Sequence, residues 1–383
     1  MAPETEQAKT VVVFAYDSGD AAQARRIRSL IDLGHRVKVY SFRRRNGSSD
    51  FKTDFDNVHL GWTHHGRLGE RMVLILGAML RMFLHRRIVG QADIILARNL
   101  DMLAVAWVAK VISGARTAPL VYECLDIHPS LVGPGWKARI MRAAERFFLA
   151  RSALLGVSSP AYLRHYFEPV QGYHGPTALW ENKVQYDAAL PARPQSRPTG
   201  RDGPIRIGLV GQVRCRVSLN LLAETTTAMG GAAELHIHGR VQNTALPDFD
   251  ALAEAAPYVH MHGPYSYPQD LIAIYNSIDL IWNADFLTSD ANSKWALSNR
   301  VYEASWCGCP SVGVANTEIG RIIAERRLGW VLPGPEVRHL EALLRSLNFA
   351  DIEKQGASLL SQDEAGFLSR GEEMADLIRR VPA

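Results

Sequence analysis

Cysteine is scarce in this chain: four residues in 383, at positions 124, 215, 307 and 309. So few in so long a chain make no disulfide framework. Long apolar runs are missing too. The longest, "MVLILGAML" at 72–80, falls well short of the roughly 20 residues a membrane-spanning helix needs. The opening "MAPETEQAKT" carries no apolar core and does not read as a secretory signal. No nucleic-acid-recognition motif occurs, and the basic excess is modest. These gaps lead to the expectation of a cytoplasmic protein with no nucleic-acid partner.

What is present is ordinary globular composition, 47% hydrophobic and 21% charged, on a chain long enough for two domains. The net charge of +4 is unevenly spread: residues 1–190 hold 25 Lys+Arg against 17 Asp+Glu, and residues 191–383 hold 18 against 22. A basic first half suits an anionic neighbour, such as a membrane surface or a phosphorylated acceptor, although halves of a chain also differ by chance.

One seam stands out. The stretch "ALPARPQSRPTGRDGP" at 189–204 has four prolines and two glycines and is expected to be a linker. On both sides of it, short continuous apolar runs each lead into a helical pattern. "VVVFAY", "RVKVYSF", "DIILA", "PLVYE" and "ALLGVSS" come before the seam; "IRIGLVG", "ELHIHG", "YVHMHG" and "SIDLIWN" come after it. Asn99 is the expected N-cap of the helix that follows "DIILA". Apolar strands alternating with helices predict parallel sheets covered on both faces. The expected fold is α/β, with two Rossmann-like domains facing each other across a cleft. They are assigned to 1–188 and 205–355, with 356–383 a helical segment packing back on the first domain. Ligands of such sheets bind beyond the carboxyl ends of the strands.

The stretch "LSNRVYEASWCGCPSVG" at 297–313 poses a choice. Its two cysteines, Cys307 and Cys309, offer two ligands where a structural zinc site needs four. The histidines of "ELHIHG" and "YVHMHG" alternate along their strands and are not expected to form a ligand cluster. No metal is therefore expected, and the cysteines are read as packing at a glycine turn. Glu303 lies one turn inside the helix that Ser298 or Asn299 caps. A carboxylate there can accept two hydrogen bonds from a ribose diol, and the alternative is a solvated helix glutamate.

The blocks "GLVGQVRCRVSLNLLAETTTAMG", "LHIHGR", "HMHGPYSYPQDLIAIYNSIDLIWN" and "LSNRVYEASWCGCPSVGV" follow one another in an order and spacing that resembles the GT-B glycosyltransferases. The resemblance is greatest to the family-4 group, which uses nucleotide sugars, and it covers essentially the whole chain. Residues 298–303 and 308–312 resemble that group's "P-N-K-x-x-E-Y…G-x-P-V" block. The resemblance implies that Glu303 holds the donor ribose, and that Asn299 and Arg300 stand near its phosphates or sugar. It implies that Gly211, Arg214 and Arg216 receive the diphosphate, whose charge grows as the sugar–oxygen bond breaks. It also implies that the Ser18-Gly19 loop approaches the phosphates through its backbone. The chain departs from the pattern at Trp295, where many relatives carry a glutamate that reads the sugar. Asp290, Asn292 and Lys294 are the nearby substitutes, so the donor sugar stays open. The implied co-substrate is a nucleotide-diphosphate sugar, with no other cofactor and no metal.

An acceptor hydroxyl must lose a proton, and an inverting enzyme needs a base for it. Asp126, His128 and Glu123, on the loop of "YECLDIHP", are the candidates, with Asp101 a fourth. On the acceptor side, "RLGERMVLILGAMLRMFLHRR" at 67–87 and "WKARIMRAAERFFLARS" at 136–152 mix apolar stripes with arginines. Such helices suit anionic headgroups and a lipid-linked or saccharide acceptor at the inner face of the cytoplasmic membrane. The competing expectation, preferred on fold grounds, is that both stripes pack on the sheet. The overall expectation is a glycosyltransferase of cell-surface polysaccharide or glycolipid synthesis. A nucleotide-sugar 2-epimerase and a non-catalytic sugar-binding relative are the alternatives on the same scaffold.

Overall fold

The computed structural model describes residues 7–44, 53–63, 68–286 and 291–381. Two compact units emerge: Met1–Glu181 joined by Arg370–Ala383, and Asn182–Ser369.

In the first unit, seven parallel strands run in the order β3-β2-β1-β4-β5-β6-β7. They are β1 Thr10–Ala15, β2 Arg36–Arg44, β3 Asn57–Thr63, β4 Ile94–Arg98, β5 Leu120–Cys124, β6 Leu154–Val157 and β7 Thr177–Leu179. Val11, Val12, Val13, Phe14 and Ala15 are all fully buried, as a central strand covered on both faces requires. Asp20 caps the helix Ala21–Asp32, accepting from the Gln23 N–H at 2.7 Å. The last helix, Glu372–Arg380, puts Met374, Leu377 and Ile378 into this unit's core. Of the segment expected to pack back, residues 356–369 stay with the second unit and only the final helix joins the first.

In the second unit, β8 (Val184–Gln185) pairs with β15 (Leu368–Ser369) as a small separate sheet. The main sheet is β9 Ile205–Val213, β10 Ala233–Val241, β11 Val259–Gly263, β12 Leu280–Trp282, β13 Ser311–Val314 and β14 Gly329–Leu332, in the order β11-β10-β9-β12-β13-β14. Counted from β9, that is the strand order 3-2-1-4-5-6 of the dinucleotide-binding fold, and the first unit repeats it with one strand added.

Three expectations need correcting. The Pro-rich stretch is no free linker: Arg193 donates to the Trp306, Leu359 and Gln362 carbonyls, and Arg197 to the Ile278 carbonyl, strapping it onto the second unit. Asn99 does not cap its helix. It is the first helical residue, with φ +67°, and the N-cap Arg98 makes no side-chain cap bond. Nor do the strand histidines stay apart. The β10–β11 register sets His236 beside His260, and His238 stacks on His262 with ring centroids 4.3 Å apart. Burial, reinforced by the neighbouring rings, lowers the pKa of His238 to about 4.

Candidate functional site

In both units the chemistry gathers at the carboxyl ends of the strands, because that is where each strand turns towards a helix and polar groups are tolerated.

In the first unit the fixed part is an ion-pair network behind the strand ends. Glu123, 1% exposed at the end of β5, takes a two-pronged bond from Arg98, with Nε–Oε2 2.9 Å and Nη2–Oε1 3.0 Å. Arg26 reaches its Oε1 at 2.8 Å, and Arg98 also bonds Asp20 at 3.0 Å. Burial opposes ionisation of Glu123 most strongly, but the two guanidiniums outweigh it and hold the carboxyl below the usual range. Glu123 is engaged through both oxygens by two buried cations, which fits a structural anion better than the expected base.

Around Asp126 are the charged or titratable groups of His128, Arg44, Arg71 and Asp101. The expected site residues Asp101, Asp126 and His128 are thus brought together. Asp101 is bound by Arg71, with Nε–Oδ2 at 3.0 Å, which makes it a positioning group for the arginine and a poor base. His128 caps the short helix Pro129–Val132, its Nδ1 accepting from the Ser130 N–H at 3.3 Å. Asp126 is an exposed residue whose carboxylate is nevertheless crowded by protein. The crowding raises its pKa, against the opposing charges of His128, Arg44 and Arg71. A raised carboxyl on an open loop is better suited to accept a proton than an ordinary aspartate.

The backbone N–H groups of the Ser18-Gly19 loop have partners within the protein. The Gly19 N–H donates to Asp17 Oδ1 at 3.0 Å, and the Ser18 N–H to the Phe42 carbonyl at 3.0 Å.

In the second unit, Glu303 lies on the helix Asn299–Trp306 and is only 6% exposed, which excludes the solvated-glutamate alternative. The Tyr275 hydroxyl donates to its Oε2 at 3.1 Å. Burial and the Glu303 charge raise the Tyr275 pKa well above its ordinary value, so the phenol remains a donor. Asn299 and Arg300 occupy the first turn of the same helix, after the N-cap Ser298. Ser298 Oγ donates to Asn283 Oδ1 at 3.2 Å, and Asn283 Nδ2 to Ser311 Oγ at 2.8 Å, fixing that helix start to the end of β12 and the beginning of β13.

Gly211, near the end of β9, has φ +101°, open to a side chain only with strain. Its carbonyl also approaches Gly239 so closely that a Cβ there would stand 1.7 Å from the oxygen. Arg214 meets Asp285 at 3.4 Å, and Arg216 pairs with Asp248. Solvent reaches both pairs, so each is weak. Lys294 is exposed on the helix Ala291–Trp295. The side chain of Asn292, with Asp290 and Arg67, lies outside the described residues. Cys307 and Cys309 are fully buried and free, and burial pushes the Cys309 thiol up to about 11, as packing residues require.

Sequence reasoning missed Arg98, Tyr275 and Asn283. A signal existed for two of them: a charged or amide residue closing an apolar strand, as in "IILAR" and "DLIWN", needs a buried partner.

Among known proteins, the chain is 36% identical over 342 residues to the succinoglycan biosynthesis protein ExoL of Rhizobium meliloti, covering 88% of this chain and 84% of that one. No protein-family model matches. Of the solved structures, Anabaena HepE in complex with UDP superposes with a TM-score of 0.67 at 14% identity, over 97% of this chain and 99% of HepE. A glycosyltransferase from Rickettsia africae does so with 0.69 at 13% identity, over 98% of each chain. Likeness at such identity shows the fold alone.

Proposed function

We propose that this chain, a GT-B-fold glycosyltransferase of the same family as the succinoglycan biosynthesis protein ExoL, moves a sugar from a nucleoside-diphosphate sugar to an acceptor hydroxyl in polysaccharide synthesis. The observation that carries the reading is Glu303, a buried carboxylate at a strand-end helix, steadied by a tyrosine and preceded by Asn299 and Arg300. A carboxylate has about four acceptor sites, a number compatible with Tyr275 and a ribose diol together. Arg214 and Arg216 are the guanidiniums for the leaving diphosphate. ExoL is a succinoglycan biosynthesis protein, and HepE was solved with UDP; uridine diphosphate is accordingly the first donor nucleotide to test, and an exported polysaccharide or its lipid-linked precursor the acceptor class. The reaction needs no metal if the two arginines carry the diphosphate charge.

Asp126 is the proposed proton acceptor. Uridine nucleotides should raise the unfolding midpoint of the purified protein in EDTA as they do without it, by mass action on the folded state. The Asp126→Asn variant should keep that shift yet lose transfer by at least about a hundredfold. In the wild type, the rate should fall as acid protonates Asp126, at a pH above the ordinary aspartate value of about 3.9. Absence of any shift with every sugar nucleotide would sink the donor reading, and unimpaired transfer by Asp126→Asn would move the role to His128.

A membrane-facing surface on the first unit belongs to the same proposal. The helix Leu68–Val89 buries Ile75, Ala78 and Met82, but its other side leaves Val73 70%, Leu80 69% and Leu84 81% exposed. The expectation that both apolar stripes pack on the sheet therefore fails for this face. The helix Trp136–Leu149 adds Trp136 at 61% and Ile140 at 59%. Arg86 and Arg87 in the last turn of the first helix supply charge for anionic headgroups. Among the described residues no helix is long and apolar enough to cross a membrane, so contact would be peripheral. Cosedimentation with phosphatidylglycerol vesicles should exceed that with phosphatidylcholine. It should drop about tenfold in Leu80→Glu/Leu84→Glu, by loss of apolar burial; equal sedimentation of variant and wild type would exclude this face.

A further inference from the structure

The repeated "HIHG" and "HMHG" ends of β10 and β11 have no part in the donor reading. Strand alternation turns Leu235 and Ile237 into the core, so Glu234, His236 and His238 share the opposite face of β10. The β11 register brings His260 and His262 alongside, the His236 ring centroid lying 4.9 Å from that of His260 and 5.2 Å from that of His262. Two ring nitrogens converge on one carboxylate: His236 Nε2 is 3.2 Å from Glu234 Oε2, and His260 Nε2 is 3.7 Å from Glu234 Oε1. His260 Nε2 is itself shielded from solvent and has no hydrogen-bond partner.

We propose that Glu234, His236 and His260 form a binding site for a divalent late first-row metal ion, zinc being the reference case, at the edge of the second unit's sheet. Their donor atoms all lie within 4.8 Å of one another. Zinc holds imidazole nitrogen and carboxylate oxygen at about 2.0–2.2 Å in a tetrahedron, which sets ligand atoms about 3.3 Å apart. The two nitrogen–oxygen separations, 3.2 and 3.7 Å, run to different oxygens of Glu234, so side-chain rotation is needed to gather all three groups on one ion. Two imidazoles and one carboxylate favour zinc, nickel or copper over magnesium and calcium, which prefer oxygen donors throughout.

The surroundings support the ion as well. His236 Nδ1 lies 3.0 Å from His262 Nε2. Without an ion, His236 Nε2–H can donate to Glu234; a bound ion would take that proton's place, leaving Nδ1–H to donate to His262. Such an outer bond to the second ring nitrogen is how metal-ligating histidines are usually oriented. Three protein ligands leave a fourth position for water or a small ligand. The site does not depend on the glycosyl-transfer reading.

The test uses the full chain, stripped with EDTA, dialysed, and titrated with zinc chloride by calorimetry and with cobalt chloride by visible absorption. One equivalent should bind with micromolar affinity or better, with a cobalt band of tetrahedral character. Zinc should also raise the unfolding midpoint. His260→Gln, on an exposed edge, should lose at least tenfold in affinity and the midpoint rise, while the control His174→Gln, an exposed histidine of the first unit, should keep both. Circular dichroism checks the fold, and Glu234→Gln provides a second variant if His260→Gln fails it. Only millimolar binding by the wild type, or wild-type affinity in a folded His260→Gln or Glu234→Gln, would overturn the site.

Discussion

Replacing Glu303 by alanine is expected to reduce the affinity for UDP about a hundredfold. Two hydrogen bonds from a ribose to an ionised acceptor contribute about 3 kcal/mol together, each being worth about 1.5 kcal/mol or more when one partner is charged. The same change removes the acceptor for the buried Tyr275 hydroxyl. An orphaned buried donor costs about 1–3 kcal/mol, so the unfolding midpoint should fall by several degrees as well. Glu303→Gln separates the two effects. It keeps a carbonyl oxygen for Tyr275 and should melt close to the wild type, yet it lacks the charge and one acceptor, so UDP should bind about tenfold more weakly. Isothermal titration of wild type and both variants provides the check. If both bind UDP as the wild type does, Glu303 is not the ribose anchor, however the variants melt.

The parts legible in the sequence were those whose signal is local. β1, β4 and β5 are continuous apolar runs because a parallel strand covered on both faces has no polar side to show. β3, "NVHLGWT", has intermediate burial at an edge of its sheet and gives no such run. The helix carrying Glu303 was readable from its cap and glycine stop. That Glu303 is buried was not, because Tyr275 lies 28 residues away. The histidine row makes the same point: period-2 alternation is visible within each strand, whereas the register between β10 and β11 is set by packing of the whole sheet. Glu123 looked like a base because it ends a strand beside a loop. Its two arginine partners come from the helix Ala21–Asp32 and from β4, and no spacing rule links those positions.

Glu123→Ala is expected to destabilise the first unit by about 3–5 kcal/mol, the cost of leaving buried charges without their partner. Arg98 is fully buried and Arg26 nearly so. Asp20 and the Trp180 carbonyl remain to them, but neither restores the two-pronged bond. A loss of that size is a large share of the 5–15 kcal/mol that holds a typical domain folded. Chemical denaturation followed by tryptophan fluorescence measures it directly. The double variant Glu123→Ala/Arg98→Met should lose less than the sum of its single changes, because it removes one stranded charge along with its partner. Acid provides an independent reading. The folded-state pKa of Glu123 lies below its unfolded value of about 4.3. The ion pairs therefore stabilise fully above that value, and their contribution is lost as the pH falls through the lower, folded-state pKa. Glu123→Ala should flatten this acid limb. A catalytic Glu123 would show itself separately: transfer per folded molecule would collapse, whatever the loss of stability. The buried geometry leads to the opposite expectation, a fragile protein whose folded fraction still transfers.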